Sequence, residues 1–147
     1  MSTEYIKTYK PLAIWLGVFA AVIIALPLAL FASIPGGVLT SAMLACLYLG
    51  LLALFILIHQ GGYVYWISGG PSFEEARDAG EENRRAYAWE HLKRFMLTGA
   101  ALMPYLVLSS VFAWPAWINI VVTGAALIAA SMSTVNIRFE SAEEERE

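Results

Sequence analysis

Uncharged polar side chains inside apolar segments are the first candidates for chemistry in this sequence. They are Tyr48, Tyr105, Ser109, Asn119 and Thr123. Hydroxyl and amide groups that are removed from water need hydrogen-bond partners, because burial without one costs free energy. Two interpretations stay open. The five residues could line a pocket or path for a neutral or weakly polar solute, a quinone or a lipid, or they could hydrogen-bond neighbouring helices to each other.

The two histidines are the second candidate site, a metal or haem centre. His59 follows the second apolar segment and His91 precedes the third, so neighbouring helices would place both side chains at a similar depth. Two imidazoles can ligate a haem iron axially, and Glu90 lies beside His91 in the chain. The alternative is that both rings are amphipathic anchors at the membrane surface. The sequence requires no cofactor, and the identity of any cofactor stays unknown.

Acidic residues between the second and third apolar segments are a third candidate, a divalent-cation site. They are Glu74, Glu75, Asp78, Glu81 and Glu82. Their spacing lacks the alternating ligands and the central glycine of a calcium loop. Since Cys46 is the only cysteine, an intramolecular disulfide and a cysteine-based metal cluster are excluded. We find no nucleophile with a base at motif spacing and no glycine-rich phosphate loop, so an enzyme is the less favoured class.

Four apolar segments would position all of these side chains. Of the 147 residues 59% are hydrophobic and 14% are charged, which is the composition of a membrane protein. The predicted spans are 11–34, 38–58, 95–112 and 117–135, each within the length that crosses a hydrocarbon core of about 30 Å. We therefore predict an all-α fold, a four-helix transmembrane bundle of two antiparallel hairpins. Residues 1–147 would form one integral membrane domain.

A charged segment, residues 69–94, lies between the two predicted hairpins. Ser72 and Glu75 have the spacing of a capping box, in which each side chain bonds the backbone N–H of the other residue. Gly80 weakens the helix that starts there, because glycine is a poor helix former. We predict a short helix over residues 73–79 and a longer one that continues from position 81 into the third span.

The charged residues also predict pairing and orientation. Opposite charges recur three or four positions apart, so we expect Glu81 to pair with Arg84 and Arg85 across one helical turn. The turns at 33–40 and 112–119 carry no charged residue. Since short cytoplasmic loops retain lysine and arginine, both termini and the charged segment should be cytoplasmic. The acidic tail, residues 140–147, should be solvated.

Two strips of small residues predict close helix packing. The first comprises Gly17, Ala21, Ala25, Ala29 and Ser33 in span one, and the second comprises Ala42, Cys46, Gly50 and Ala53 in span two. Small residues let membrane helices approach closely where lipid offers no hydrophobic driving force. The sequence leaves open whether each strip meets another span or another chain.

These patterns support three functional hypotheses. The leading one is a small membrane protein that acts by association, as a homo-oligomer or as an accessory subunit of a membrane complex. The alternative is a channel or facilitator for a small neutral solute, and a haem- or lipid-linked membrane enzyme is third. No Asp, Glu, Lys or Arg lies within a predicted span, so coupled transport through a buried charge has no candidate residue. The expected partners are the lipid bilayer and another membrane protein chain, and nothing indicates nucleic acid.

Overall fold

The computed structural model describes residues 5–139, and this part of the chain is built from helices. They are α1 (Lys10–Leu30), α2 (Gly36–Gly61), α3 (Phe73–Asp78), α4 (Gly80–Val111) and α5 (Ala116–Thr134), with a 3-10 turn at Val64–Trp66. Helices α1, α2, α4 and α5 are each long and apolar enough to cross a membrane. The predicted fold class, an all-α protein with four helices of membrane-spanning length, is confirmed. The acidic tail 140–147 lies outside the described residues.

Local sequence signals define the start of α3. The Ser72 hydroxyl accepts the Glu75 N–H at 3.2 Å, and the Ser72 N–H donates to Glu75 Oε2 at 2.7 Å. This capping box, predicted from the sequence, is confirmed. The Ser72 N–H donates to the Glu75 carboxylate and stabilises its charged form, so the pKa of Glu75 lies below its ordinary value.

Glycines with positive φ end one helix and separate two others. Gly62 follows α2 with a φ of 64°, and its N–H bonds the Ile58 carbonyl. Gly80 has a φ of 82° and separates α3 from α4. Since side chains disfavour this left-handed region, glycine suits both positions. The predicted break at Gly80 is confirmed.

Helices α2, α4 and α5 enclose the main core. Its buried members are Tyr48, Phe95, Leu102, Leu106 and Ala130. Along α2 and α4 the contacts run in opposite sequence order, because the Phe55 ring stacks on the Phe95 ring whereas the Tyr48 ring lies against Gly99.

A second core cluster lies at the end of the bundle that carries the charged segment, which we call the charged end. Its buried members are Ile58, Val64, Ala76, Tyr87 and Ala88. Tyr5 packs against this cluster from before α1, and Phe139 packs against it from beyond α5. Both ends of the described chain are therefore held at the charged end.

Helix α1 is peripheral. It has no buried residue, contributes to neither core cluster, and among the described helices it packs against α2 alone. Its contact with α2 includes Phe19, whose ring occupies the place that a side chain on Gly50 would take. The strip in α2 thus admits a bulky side chain from α1. The four residues of the first strip that lie in α1, by contrast, are all exposed, and Ser33, which follows the helix, is exposed as well.

Candidate functional site

Asn119 joins α5 to α4 and α2 through its side-chain amide. Its Oδ1 accepts hydrogen bonds from the hydroxyls of Ser109 at 2.6 Å and Tyr105 at 3.1 Å. Its Nδ2 donates to the Ser41 hydroxyl at 3.0 Å. We call these four residues the Asn119 network. Asn119 is 0% exposed, so the network holds three helices together inside the bundle.

The Asn119 network satisfies most of its own hydrogen-bonding capacity. Both lone pairs of Oδ1 are used, and the Ser41 hydroxyl donates onward to the Gly37 carbonyl at 3.1 Å. Groups bonded to one another offer little to a passing solute, and such contacts are typical of membrane helix interfaces. The geometry favours the interpretation as hydrogen bonding between helices. Ser41 was absent from the predicted set.

Tyr48 belongs to a different part of the bundle. Its hydroxyl donates to the Phe95 carbonyl at 2.9 Å, ten residues along α4 from Tyr105 and therefore about 15 Å away along the helix axis. Its ring lies so close to Gly99 that a Cβ there would be 2.9 Å from a ring carbon. Tyr48 therefore does not belong to the Asn119 network.

Thr123 lines an apolar groove between α1, α2 and α5. The groove has a volume of about 390 Å³ and is lined by Trp15, Phe19, Leu44, Leu47, Tyr48, Leu51, Ile120, Thr123, Gly124 and Leu127. The Thr123 hydroxyl is buried and has no hydrogen-bond partner among residues 5–139. Of the five predicted polar residues, Thr123 is the one whose hydroxyl donates to no other group in the part of the chain that the structure describes.

The two histidine rings have different surroundings. His59 Nδ1–H donates to the Arg85 carbonyl at 3.2 Å, and its ring lies 5.6 Å from the Trp89 ring. His91 is buried and donates from Nδ1 to the Tyr87 carbonyl at 3.0 Å. Within residues 5–139 no group of three or more His, Cys, Asp or Glu side chains could hold a metal ion. The metal or haem site stays a prediction.

Two of the candidate carboxylates are paired with arginines. Glu81 contacts Arg85 at 2.8 Å, as predicted, and Asp78 contacts Arg77 at 2.9 Å. Carboxylates that neutralise basic side chains are less available to a cation. These contacts lend the divalent-cation site no support.

The predicted ion pair between Glu81 and Arg84 is wrong. Arg84 does not pair with Glu81 but turns inward, where it is 8% exposed. Its Nη1 donates to the Ala76 carbonyl at 2.8 Å, and its guanidinium carbon lies 3.8 Å from the centroid of the Tyr5 ring. The physical reason is helix geometry, since Arg84 lies on the same face as the buried Ala88 and His91.

Gly62 and Tyr5 complete the surroundings of Arg84. The Tyr5 hydroxyl donates to the Gly62 carbonyl at 2.6 Å. A Cβ on Gly62 would lie 3.1 Å from Arg84 Nε, so glycine permits this close approach. Burial raises the pKa of Tyr5 to about 12, although the positive charge of Arg84 acts in the opposite direction.

A polar pocket of about 380 Å³ opens beside these residues. We call it the Arg84 pocket, and its lining comprises Tyr5, Ile6, Thr8, Gln60, Gly61, Gly62, Tyr63, Glu81, Arg84 and Arg85. This site was not predicted from the sequence, because the charge spacing indicated that Arg84 pairs with Glu81. The helical periodicity of α4 could have indicated it. The face that is buried in the apolar part of the helix continues back to Arg84.

Comparisons of this chain with protein-family models, with curated proteins and with solved structures find no match.

Proposed function

We propose that this chain is a small, non-enzymatic integral membrane protein that acts by association of α1 with a second copy of the chain. The observation that carries this proposal is the isolation of α1. It packs against α2 alone among the described helices and has no buried residue. The remainder of its surface is available to another helix in the bilayer.

The exposed strip on α1 supports association with another helix. Gly17, Ala21, Ala25 and Ala29 recur every four residues, and all are exposed. A Cβ on Gly17 would meet nothing within 4 Å. Since small residues allow close backbone approach and good van der Waals packing, this face fits the same face of a second α1.

The orientation that accompanies this proposal has both termini and the charged segment in the cytoplasm. The positive charges flanking the spans support it. In a Cys46→Ala background, Ser33→Cys should react with a membrane-impermeant maleimide added outside intact cells, whereas Asp78→Cys should react only after permeabilisation. Labelling of Asp78→Cys in intact cells would contradict this orientation.

The association test compares two pairs of substitutions on exposed faces. The double variant Ala21→Leu/Ala25→Leu places bulk on the α1 strip, and Ala125→Leu/Ala129→Leu places the same bulk on exposed positions of α5. We expect the first pair to shift the protein from oligomer to monomer, by at least roughly tenfold in dissociation constant, and the second to leave assembly unchanged. Subunit counting by photobleaching in nanodiscs measures both.

A strictly monomeric wild-type chain in detergent and in lipid would overturn the proposal. If a different membrane protein co-purifies and is lost only from the α1 variant, α1 is an accessory-subunit surface instead, and self-association is wrong. The solute-path hypothesis has weaker support, because the polar atoms of the Asn119 network bond one another. Solute flux in liposomes that is lost with Asn119→Ala would favour that path over association.

A further inference from the structure

Arg84 is a buried cation without an acidic partner in the described part of the chain. The ion pairs among residues 5–139 join Arg77 to Asp78, Arg85 to Glu81 and Lys93 to Glu90. Arg84 takes part in none of them. Removing a guanidinium from water without a counter-charge is costly, and a bound anion would offset that cost.

The hydrogen bonds of Arg84 leave donors unused. A guanidinium carries five N–H groups, and the one bond that Arg84 makes to another residue runs from Nη1 to the Ala76 carbonyl. Its Nε is buried and has no partner among residues 5–139. The guanidinium carbon lies 3.8 Å from the centroid of the Tyr5 ring, and Arg84 lines the pocket, so its remaining N–H groups are the ones that would meet a ligand.

The lining of the Arg84 pocket suits an anion. Thr8, Gln60 and Tyr63 contribute neutral hydrogen-bonding groups, and Arg84 and Arg85 contribute positive charge. Glu81 pairs with Arg85 at 2.8 Å, so among residues 5–139 the charge of Arg84 has no carboxylate partner. A volume of about 380 Å³ is far larger than one water molecule needs, which is roughly 30 Å³.

The location indicates which anion would fill the pocket. Tyr65 and Trp66 lie beside the N-terminal segment that forms one wall, and Tyr9 contacts both rings. Aromatic clusters of this kind are typical of the headgroup depth of a bilayer, where phosphates are the common anions. The arginine fork also matches the geometry of phosphate oxygens.

We propose that the Arg84 pocket binds a phosphate group, carried by a lipid headgroup or by a small soluble phosphate compound. The inference does not depend on association through α1, because none of the pocket residues lies in α1. Arg84 would hold the phosphate oxygens through its unused N–H groups, and Gln60 would face the ligand from the end of α2.

Binding is tested with the full chain in detergent, through its thermal unfolding midpoint. Inorganic phosphate is titrated at constant ionic strength against chloride, because screening changes with total salt. A second series compares short-chain phosphatidic acid with short-chain phosphatidylcholine. We expect a saturable rise in the midpoint with a phosphate probe, since a ligand that binds only the folded state stabilises it. Chloride should produce no such rise.

Two variants and a matched control locate the site. Arg84→Lys keeps the charge but loses the planar fork, and should weaken binding about tenfold or more. Gln60→Glu introduces a negative charge at an exposed position, and should weaken binding roughly fivefold while the chain still folds. Asn83→Asp is the control, because it makes the same amide-to-acid change in α4 on a residue that does not line the pocket.

The responses to the two phosphate probes show whether the site takes a lipid headgroup or a phosphate group in general. A response to phosphatidic acid but not to inorganic phosphate assigns the site to a lipid headgroup, and a response to both assigns it to the phosphate group itself. Equal responses to phosphate and chloride would overturn the proposal, as would no saturable response to either phosphate probe. Equal weakening by Gln60→Glu and Asn83→Asp would also overturn it, and this comparison holds even if Arg84→Lys fails to fold.

Discussion

The guanidinium carbon of Arg84 lies 3.8 Å from the centroid of the Tyr5 ring, although Tyr5 precedes α1 and Arg84 belongs to α4. The Tyr5 hydroxyl also donates to the Gly62 carbonyl at 2.6 Å. One side chain thus joins the N-terminal segment to the end of α2 and to α4.

Two substitutions of Tyr5 should destabilise the charged end, the second more than the first. Tyr5→Phe removes the hydrogen bond to Gly62 and should cost about 1 kcal/mol. Tyr5→Ala also removes the contact with Arg84 and should cost about 1–2 kcal/mol more. Denaturant unfolding measures the loss, and hydrogen exchange at the Gly62 and Tyr63 amides locates it. Tyr9→Phe is the matched control, and an equal effect from it would contradict the assigned role of Tyr5.

Alkaline pH should weaken the hydrogen bond from the Tyr5 hydroxyl to the Gly62 carbonyl, because an ionised phenol has no proton to donate. Because burial raises the pKa of Tyr5 from 10.0 to about 12, the folded protein favours the neutral phenol. The contribution of neutral Tyr5 to the free energy of unfolding is complete below pH 10 and is lost as the pH rises through about 12. Unfolding curves of the wild type and Tyr5→Phe, compared across this range, should converge as pH rises. A constant difference would show that Tyr5 does not titrate differently on folding.

Asn119→Ala should destabilise the bundle because three hydroxyls lose a partner. Ser41, Tyr105 and Ser109 all bond the Asn119 amide. Leaving buried polar groups without partners costs about 1–3 kcal/mol. Unfolding in mixed micelles measures the loss, and Ser131→Ala at an exposed position of α5 is the control. If both variants unfold alike, the network contributes nothing to stability.

Thr123→Val should raise the stability of the protein, whereas Asn119→Ala lowers it. The Thr123 hydroxyl is buried and has no hydrogen-bond partner within the described range 5–139. Valine has a similar shape, so removing the hydroxyl should stabilise the fold by up to about 1 kcal/mol. Thr98→Val is the comparison, because the Thr98 hydroxyl donates to the Arg94 carbonyl at 3.1 Å. A loss of stability with Thr123→Val in lipid would indicate that a bound molecule satisfies this hydroxyl.

The helices could be predicted from the sequence because their signals are local. Apolar runs of membrane-spanning length indicate α1, α2, α4 and α5. The capping box of Ser72 and Glu75 defines the start of α3, and Gly80 marks its separation from α4. Each of these features depends on residues within a few positions of one another.

The candidate site could be predicted only in part, because its contacts join distant segments. The grouping of Tyr105, Ser109 and Asn119 could be predicted, because a short turn joins α4 to α5 and brings residues near the turn on both helices together. The bond from Tyr48 to the Phe95 carbonyl depends on how far α2 and α4 are displaced along each other. The approach of Tyr5 to Arg84 depends on the path of the chain before α1, for which no periodic pattern exists.

The peripheral position of α1 has a consequence for synthesis and for mechanical strength. Helix α1 is synthesised before α2, α4 and α5 but contributes to neither core cluster, so these three helices can complete their packing while α1 is still undocked. Under a pulling force applied at the N-terminus, the contacts of Tyr5 with Gly62 and Arg84 should break first, and α1 should then separate from α2. The remaining three helices should resist as a single cooperative unit.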